Sequence, residues 1–428
     1  MIVDKGLLKH AEVAAAATMS PPEATRASAL RKPRGEIVLH GDESSSRALG
    51  KARRSGYLTN GLLLLGSVLF ALLVGEGIIR TVQPQDLGNW TYTRDGLTLH
   101  LPNMTQFSSR FGHKIVTNSA GMRDHEHDLT KPPEVFRILV LGDSFMEANQ
   151  VKFEDAFASV LEQRLKEGAR RPVEVINAGV SGWGTDDELT YFMRRGIKYR
   201  PDLILVAMTL HNDVSDNLRE EYHEFRNGRI EQRPVTLMPW GSFAILKIKE
   251  WMASHSHIYQ VVLRAKRANW VSTEAQNLES HVGSLLRRMP SDRIRAGWEM
   301  TRQLLQKMSQ AADTINAPVV VMLLPLSVQV YPETAKDFLA SSGLKQTDID
   351  LFKPQEMMKA IGEDIGVSII DLFPVLRDTK AKCNCALFVQ GDGHWNKLGH
   401  QIAAEETARD LLRAGLVGPA LTMGEPSR

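Results

Sequence analysis

Cysteine is nearly absent from these 428 residues. Only Cys383 and Cys385 occur. Two ligands are too few for a structural zinc site and a Cys-x-Cys spacing is too tight for an easy disulfide, so the pair reads as incidental, with a strained local disulfide as the alternative. A surplus of charge is missing too. The 52 basic and 50 acidic side chains leave a formal net charge of +2, which lacks the electrostatic footprint of a protein built to hold a phosphate backbone. No nucleic-acid partner, cofactor or metal is expected. What remains is a globular balance, 43% apolar and 24% charged residues, enough for a sizeable core.

Long apolar runs are scarce as well, with one exception. In GLLLLGSVLFALLVGEGII, Gly61 to Ile79, no charge appears before Glu76. As a helix the run spans roughly 28 Å, about one hydrocarbon core. Residues 57–80 are therefore expected to form a single transmembrane anchor, a buried core helix being the bland alternative. A cleaved signal peptide fits less well, because the preceding stretch is too long for an n-region and no Ala-x-Ala site follows. Arg47, Lys51, Arg53 and Arg54 stand before the run, and the positive-inside rule then puts the N-terminus in the cytoplasm. The expected location is the cytoplasmic (inner) membrane, single-pass, with everything after about residue 80 periplasmic or extracellular.

Residues 1–56, rich in Ala, Ser, Pro and Arg, read as a disordered cytoplasmic tail. Residues 81–134 hold short apolar runs between turn signals and read as a connecting segment. From residue 135 to about 415 the pattern is regular, and 416–428 reads as a flexible tail. Five apolar runs occur in the regular part: Ile138 to Leu141, Val173 to Ile176, Leu203 to Met208, Pro318 to Leu324 and Val367 to Ile370. Their continuous apolar character suits strands buried on both faces. Helical patterns such as Phe153 to Glu167 and Arg295 to Ile315 lie between them. The expected fold class is α/β, a flavodoxin-like, doubly wound parallel sheet of about five strands flanked by helices. An insertion at about 218–290 carries GSFAILKIKEWMASHSHIYQVVLRAKR, whose apolar residues share a helical face. That face is expected to pack on the domain, a lid or membrane-surface helix being the weaker readings.

Four stretches fall where a doubly wound sheet keeps its ligand crevice, beyond the carboxyl ends of the strands. RILVLGDSF puts Ser144 just after the first run, where backbone N–H groups and a helix dipole favour developing negative charge. Serine is also a common N-cap, and this stretch alone does not choose between cap and nucleophile. A serine nucleophile needs a histidine base, a carboxylate to orient it, and donors for an oxyanion. INAGVSGWGTDD offers Gly182, where backbone can approach a substrate closely, although a tight turn explains the same glycines. TLHNDVSDN offers the amide of Asn212, although an Asx turn would also use it. QGDGHWNKLGH sets Asp392 two residues before His394.

Together these stretches resemble the SGNH hydrolase superfamily, also called GDSL esterases and lipases, in its membrane-anchored bacterial branch, to which NSAGMRD before RILVLGDSF is similar. The match runs from about Asn118 to Glu406. The resemblance implies Ser144 as nucleophile, His394 as general base and Asp392 as its orienter. The Ser144 N–H, the Gly182 N–H and the Asn212 side chain would form the oxyanion hole, with Asp143 and Asp213 in support. It further implies a serine esterase working through an acyl-enzyme, on the O-acyl or O-acetyl groups of a cell-envelope glycan. A polysaccharide O-acetyltransferase and a non-catalytic glycan-binding protein are the alternatives. Two departures stand out. The last block is Asp-x-His where the superfamily has Asp-x-x-His, Gly391 taking the usual aspartate position; this spacing is similar to SGNH-like proteins that O-acetylate exopolysaccharides. In the third block Leu210 stands where glycine is usual. His211 and His400 are the weaker histidine candidates, His400 being expected to pack on a helix face.

Overall fold

The structure is a computed structural model that describes residues 43–210, 212–266, 282–342 and 344–417. The expected tail up to residue 42, the last residues from 418 and His211 lie outside the described residues. The chain divides after Gln83 into two compact units. Among its described residues the first contains the helix Glu43–Val82. Its stretch Thr59–Val82 contains an 18-residue window of mean hydropathy 2.4 and is long and apolar enough to cross a membrane. The helix starts fourteen residues before the expected boundary at 57, because the Ala, Leu, Lys and Arg of residues 47–54 are good helix formers that continue the apolar segment despite Gly50 and Gly56.

In the second unit five parallel strands form the sheet: β1 (Phe136–Gly142), β2 (Val173–Gly179), β3 (Leu203–Thr209), β4 (Val319–Leu324) and β5 (Ser368–Asp371). Their order across the sheet is β2-β1-β3-β4-β5, all pairings parallel. This is the flavodoxin-like order. Alternate residues of each strand enter different cores. Leu139, Leu141, Ile204, Val206, Met208, Val321 and Leu323 join one core with helices Thr185–Arg194 and Asp292–Asp313. Ile138, Val140, Leu203, Leu205, Val320 and Met322 join the other with helices Phe157–Gly168 and Lys397–Arg413. Strands apolar on both sides are thus explained by two helical layers, and burying each such side chain contributes roughly 1.5–3 kcal/mol.

Residues 84–134 form two small hairpins, Trp90–Tyr92 with Thr98–His100 and Thr105–Ser108 with His113–Val116. After them, NSAGMRD does structural work. Arg123 is almost fully buried and its guanidinium donates to the carbonyls of Glu147 (2.8 Å), Ala148 and Val151 (2.6 Å). The turn that follows the Gly-Asp-Ser stretch is therefore pinned by a charge from the preceding segment. Asp124 accepts from the Asn177 N–H at 2.7 Å, tying that segment to β2.

Among the described residues, Asp124, His125 and His127 come near enough to hold a metal ion. The hydrogen bonds argue against that use. His127 puts Nε2 2.9 Å from Asp124 and Nδ1 2.5 Å from Glu174, so both ring nitrogens are engaged as donors to carboxylates, whereas a ligand must be deprotonated. Burial pushes this imidazole down, but the hydrogen bonds and charges of Asp124 and Glu174 outweigh it and raise it to about 9. A folded value above the unfolded 6.5 gives stability that is fully present below pH 6.5 and lost as pH rises through 9. His127→Gln is expected to cost on the order of 3 kcal/mol at pH 6 and little at pH 9.5, read from urea unfolding midpoints. An equal loss at both pH values would contradict the assignment.

The insertion contains a hairpin, His223–Arg226 with Arg229–Gln232, and a helix, Trp240–His255. The expectation that its apolar face packs on the domain is wrong. Trp240, Ile245, Ile248 and Trp251 are exposed, and the face turned inward carries Glu250. Glu250 accepts from the Tyr92 N–H (2.8 Å), the Thr91 hydroxyl (3.1 Å) and Lys247 Nζ (2.7 Å). That network satisfies a buried carboxylate, and it fixes which side of the helix faces in. Cys383 and Cys385 are bonded to each other at the end of helix Phe373–Cys383, which replaces the incidental reading with its alternative.

Candidate active site

β1 ends at Gly142 and runs straight into the one-turn helix Ser144–Glu147. Its N-cap is Asp143, whose Oδ1 accepts from the Phe145 N–H at 3.0 Å. Capping therefore falls to the aspartate, and the Ser144 hydroxyl is used elsewhere: its Oγ lies 2.7 Å from Nε2 of His394. A single turn has little macrodipole, so the dipole contribution expected at Ser144 is small. Among the described residues neither the Ser144 N–H nor the Gly182 N–H has an acceptor within the protein.

His394 sits in the loop before helix Lys397–Arg413, with Phe145 against its ring and Trp395 edge-on to Phe145. Its Nδ1 is 2.6 Å from Oδ1 of Asp392. The shortened Asp-x-His spacing works because Gly391 and Gly393 both take positive φ, 71° and 86°, a conformation open to glycine and costly for other residues. The resulting turn, with the Val389 N–H donating to the His394 carbonyl at 2.8 Å, brings the carboxylate round to the far side of the ring. Burial pushes the Asp392 carboxyl up, but His394, then the Arg110 charge and a hydrogen bond from Gln150, outweigh it and hold the carboxyl below its ordinary value. An ionised Asp392 and a Ser144 hydroxyl at opposite nitrogens fix the ring in the tautomer that can accept a proton at Nε2.

Arg110 and Gln150 were missed by sequence reading. Arg110, from the turn between Thr105–Ser108 and His113–Val116, places its guanidinium 2.6 Å from Oδ2 of Asp392. No spacing rule links a hairpin turn to a loop far downstream. Because the Arg110 side chain is 56% exposed, solvent screens the pair. Arg110→Gln is expected to lower kcat/KM roughly three- to tenfold at low salt and less at 0.5 M salt; a loss that salt leaves unchanged would contradict a screened ion pair.

The Asn212 Nδ2 lies 3.3 Å from Oδ2 of Asp143 and 3.1 Å from Oδ2 of Asp216. Asp216 in turn holds Arg219 at 2.7 Å, and that arginine donates to the Gly182 carbonyl at 3.3 Å. One guanidinium thus links the Asn212 and Gly182 loops. Asp213 is buried and accepts from the Thr209 N–H at 2.7 Å. Burial, and then neighbouring carboxylates, raise Asp213 and Glu188 well above the ordinary range, and raise Asp216 to about 7 despite Arg219. Disfavouring the charged form of these carboxyls lessens the repulsion that several anions would exert on a developing oxyanion. Leu210, in the usual glycine position, is fully buried in the core. His400 is fully buried edge-on against Trp395, and burial pushes it down to about 3. A cleft of about 790 Å³ lies away from Ser144, between residues 87–106 and helix Trp240–His255; it contains none of these groups.

The geometry offers a hydroxyl, a base and a fixed carboxylate in one hydrogen-bonded line, and the Asn212 amide reaches Asp143, the residue before Ser144. Such an arrangement can generate an alkoxide nucleophile and receive an oxyanion. Residues 286–421 match the protein family described as SGNH hydrolase-like domain, acetyltransferase AlgX. The matched stretch includes Asp392 and His394 and excludes Ser144, Gly182 and Asn212. None of the curated proteins compared with the chain matches it. Among solved structures, an acetyl xylan esterase is similar at 13% identity, covering 64% of this chain and 100% of that one, with a TM-score of 0.37. A lipase/acylhydrolase from Enterococcus faecalis aligns at 12% identity over 65% and 96%, TM-score 0.35. An acetylxylan esterase from Geobacillus stearothermophilus aligns at 10% identity over 68% and 97%, TM-score 0.36. The β2-β1-β3-β4-β5 sheet and the Gly-Asp-Ser at the end of β1 agree with the family match, and residues 286–421 are similar to an SGNH hydrolase-like domain.

Proposed function

We propose that the chain is a serine esterase of the SGNH type that cleaves O-acyl esters, most simply O-acetyl groups, on a cell-envelope glycan. The observation that carries the reading is the line Ser144 Oγ, His394, Asp392, with contacts of 2.7 and 2.6 Å. Ser144 attacks the ester carbonyl carbon and its proton passes to Nε2 of His394. The carbonyl oxygen becomes an oxyanion held by the Ser144 N–H, the Gly182 N–H and an N–H of Asn212. Of the two Asn212 contacts, the one to Asp143 is the longer, so that N–H turns toward the oxyanion while Asp216 keeps the other. The carbon–oxygen bond to the alcohol then breaks, His394 protonates the leaving oxygen, and the acyl group remains on Ser144. Water, deprotonated by His394, releases the acid.

One observation favours a second ending for the same acyl-enzyme. The match at residues 286–421 is to a family described as an acetyltransferase, and a sugar hydroxyl can replace water as acceptor. Supplying an acetyl ester donor and a neutral or acidic oligosaccharide separates the endings by mass spectrometry: free acetate means hydrolysis, a gain of one acetyl on the sugar means transfer. Absence of both, with no covalent adduct on Ser144, would support a non-catalytic glycan-binding protein instead.

The location proposed is the cytoplasmic membrane, anchored by Thr59–Val82, with the second unit outside. Four basic residues before the apolar segment support that orientation, as does a disulfide, which persists in oxidising compartments. An alkaline phosphatase fusion after residue 100 is expected to be active; activity restricted to a cytoplasmic reporter at that position would reverse the topology.

A further inference from the structure

Helix Trp240–His255 is built inside out for a surface helix. Its buried side carries Glu250 and the ion pair with Lys247. On the outer side Trp240, Ile245, Ile248 and Trp251 are each between 57% and 68% exposed, and helical spacing sets them within about 140° of arc. Residues 257–266 continue the surface as a second helix with Val261 and Val262 exposed. The exposed charges alongside, Lys249, Arg264 and Lys266, are all basic. From residue 233 to 266 the only acid is Glu250, and it is buried.

Chain connectivity places this face. The Gln85 N–H donates to Nδ1 of His257 and the Gly88 N–H to the Ala253 carbonyl, both at 2.8 Å. Val82, the last residue of the apolar helix, is three residues before Gln85, and three residues reach at most about 11 Å. The segment that follows the apolar helix in sequence is thus hydrogen-bonded to the helix pair that exposes the tryptophans.

We propose that the Trp240–His255 helix, with residues 257–266, lies in the headgroup region of the membrane that holds the anchor. Its tryptophans and aliphatic side chains enter the interface, and its basic residues meet anionic lipid headgroups. Tryptophan beside lysine and arginine on an exposed apolar helix is the chemistry of an interfacial helix, and an apolar patch of this kind is costly in water. The proposal rests on the reading of Thr59–Val82 as a membrane anchor. Its consequence is a second membrane contact besides the anchor.

The test uses the full chain in vesicles of phosphatidylethanolamine and phosphatidylglycerol, with a nitroxide on Ile248→Cys or, separately, on Leu72→Cys in the apolar helix. Labelling is specific because the two native cysteines are already bonded to each other. The expected result is that oxygen relaxes both labels more strongly than a water-soluble nickel chelate does. A label at 248 relaxed mainly by nickel, with 72 relaxed mainly by oxygen, overturns the interfacial helix and leaves the anchor standing. A label at 248 shielded from both reagents means a protein surface, such as a second copy, covers the face, and also overturns the proposal. A label at 72 relaxed mainly by nickel removes the anchor reading and the inference with it.

Discussion

Ser144→Ala is expected to lower kcat for a short-chain aryl acetate by roughly ten-thousand- to a million-fold. The variant should keep its fold, because the hydroxyl caps nothing: Asp143 caps the helix and Arg123 pins the turn after it. What disappears is the atom that forms the acyl-enzyme. Residues acting as one unit lose function together, so His394→Ala is expected to cost nearly as much, and the double variant little more than either single one. Kinetics of the three proteins check this, with unfolding midpoints alongside. A Ser144→Ala protein that is folded and within tenfold of the original rate would remove Ser144 from the chemistry.

Asp392→Asn is expected to cost roughly ten-thousand-fold in kcat with KM nearly unchanged. The effect turns on one proton. Asp392 is ionised and accepts from Nδ1 of His394, which leaves Nε2 free to take the Ser144 proton. An asparagine amide at the same place can donate to Nδ1, so the ring proton moves to Nε2, where it blocks the transfer. The substitution also discards the Arg110 partner of the carboxylate. That loss belongs to the smaller, salt-dependent effect expected for Arg110→Gln, and comparison of the two variants at low and high salt apportions them. A drop below tenfold for Asp392→Asn, or a drop confined to KM, would show that another acid orients His394.

These expectations rest on parts of the chain that differ in how openly the sequence declares them. The strands are legible because burial on both faces forces near-continuous apolar residues, and β1 to β5 overlap the five runs read from pattern alone. The Phe153 to Glu167 pattern was legible as helical in character but not in continuity: a 3-10 turn, Phe153–Asp155, precedes the α-helix, and Ala156 between them is extended. Asp392 and His394 were legible as a pair. The reason the shortened spacing works was not, since it lies in the left-handed backbone of Gly391 and Gly393.

Arg110 and the Asn212, Asp216, Arg219 chain were hidden for a different reason. Each makes its contact through tertiary structure, and an arginine in a hairpin turn looks like any solvated charge. Helix Trp240–His255 shows the reverse failure. Periodicity revealed an apolar face correctly, yet a period carries no information on whether that face points in or out. The buried Glu250 and its partners in Thr91 and Tyr92 decide it, and those partners come from a hairpin long before the helix in sequence.

The central claim is that Ser144 carries an acyl group. Incubating the purified full chain with a serine-directed fluorophosphonate and measuring intact mass, followed by peptide mapping, tests it most directly. The account predicts one adduct per chain, mapped to Ser144, abolished in Ser144→Ala and slowed strongly in His394→Ala. No adduct, or an adduct on another serine while Ser144 stays unmodified, would contradict it.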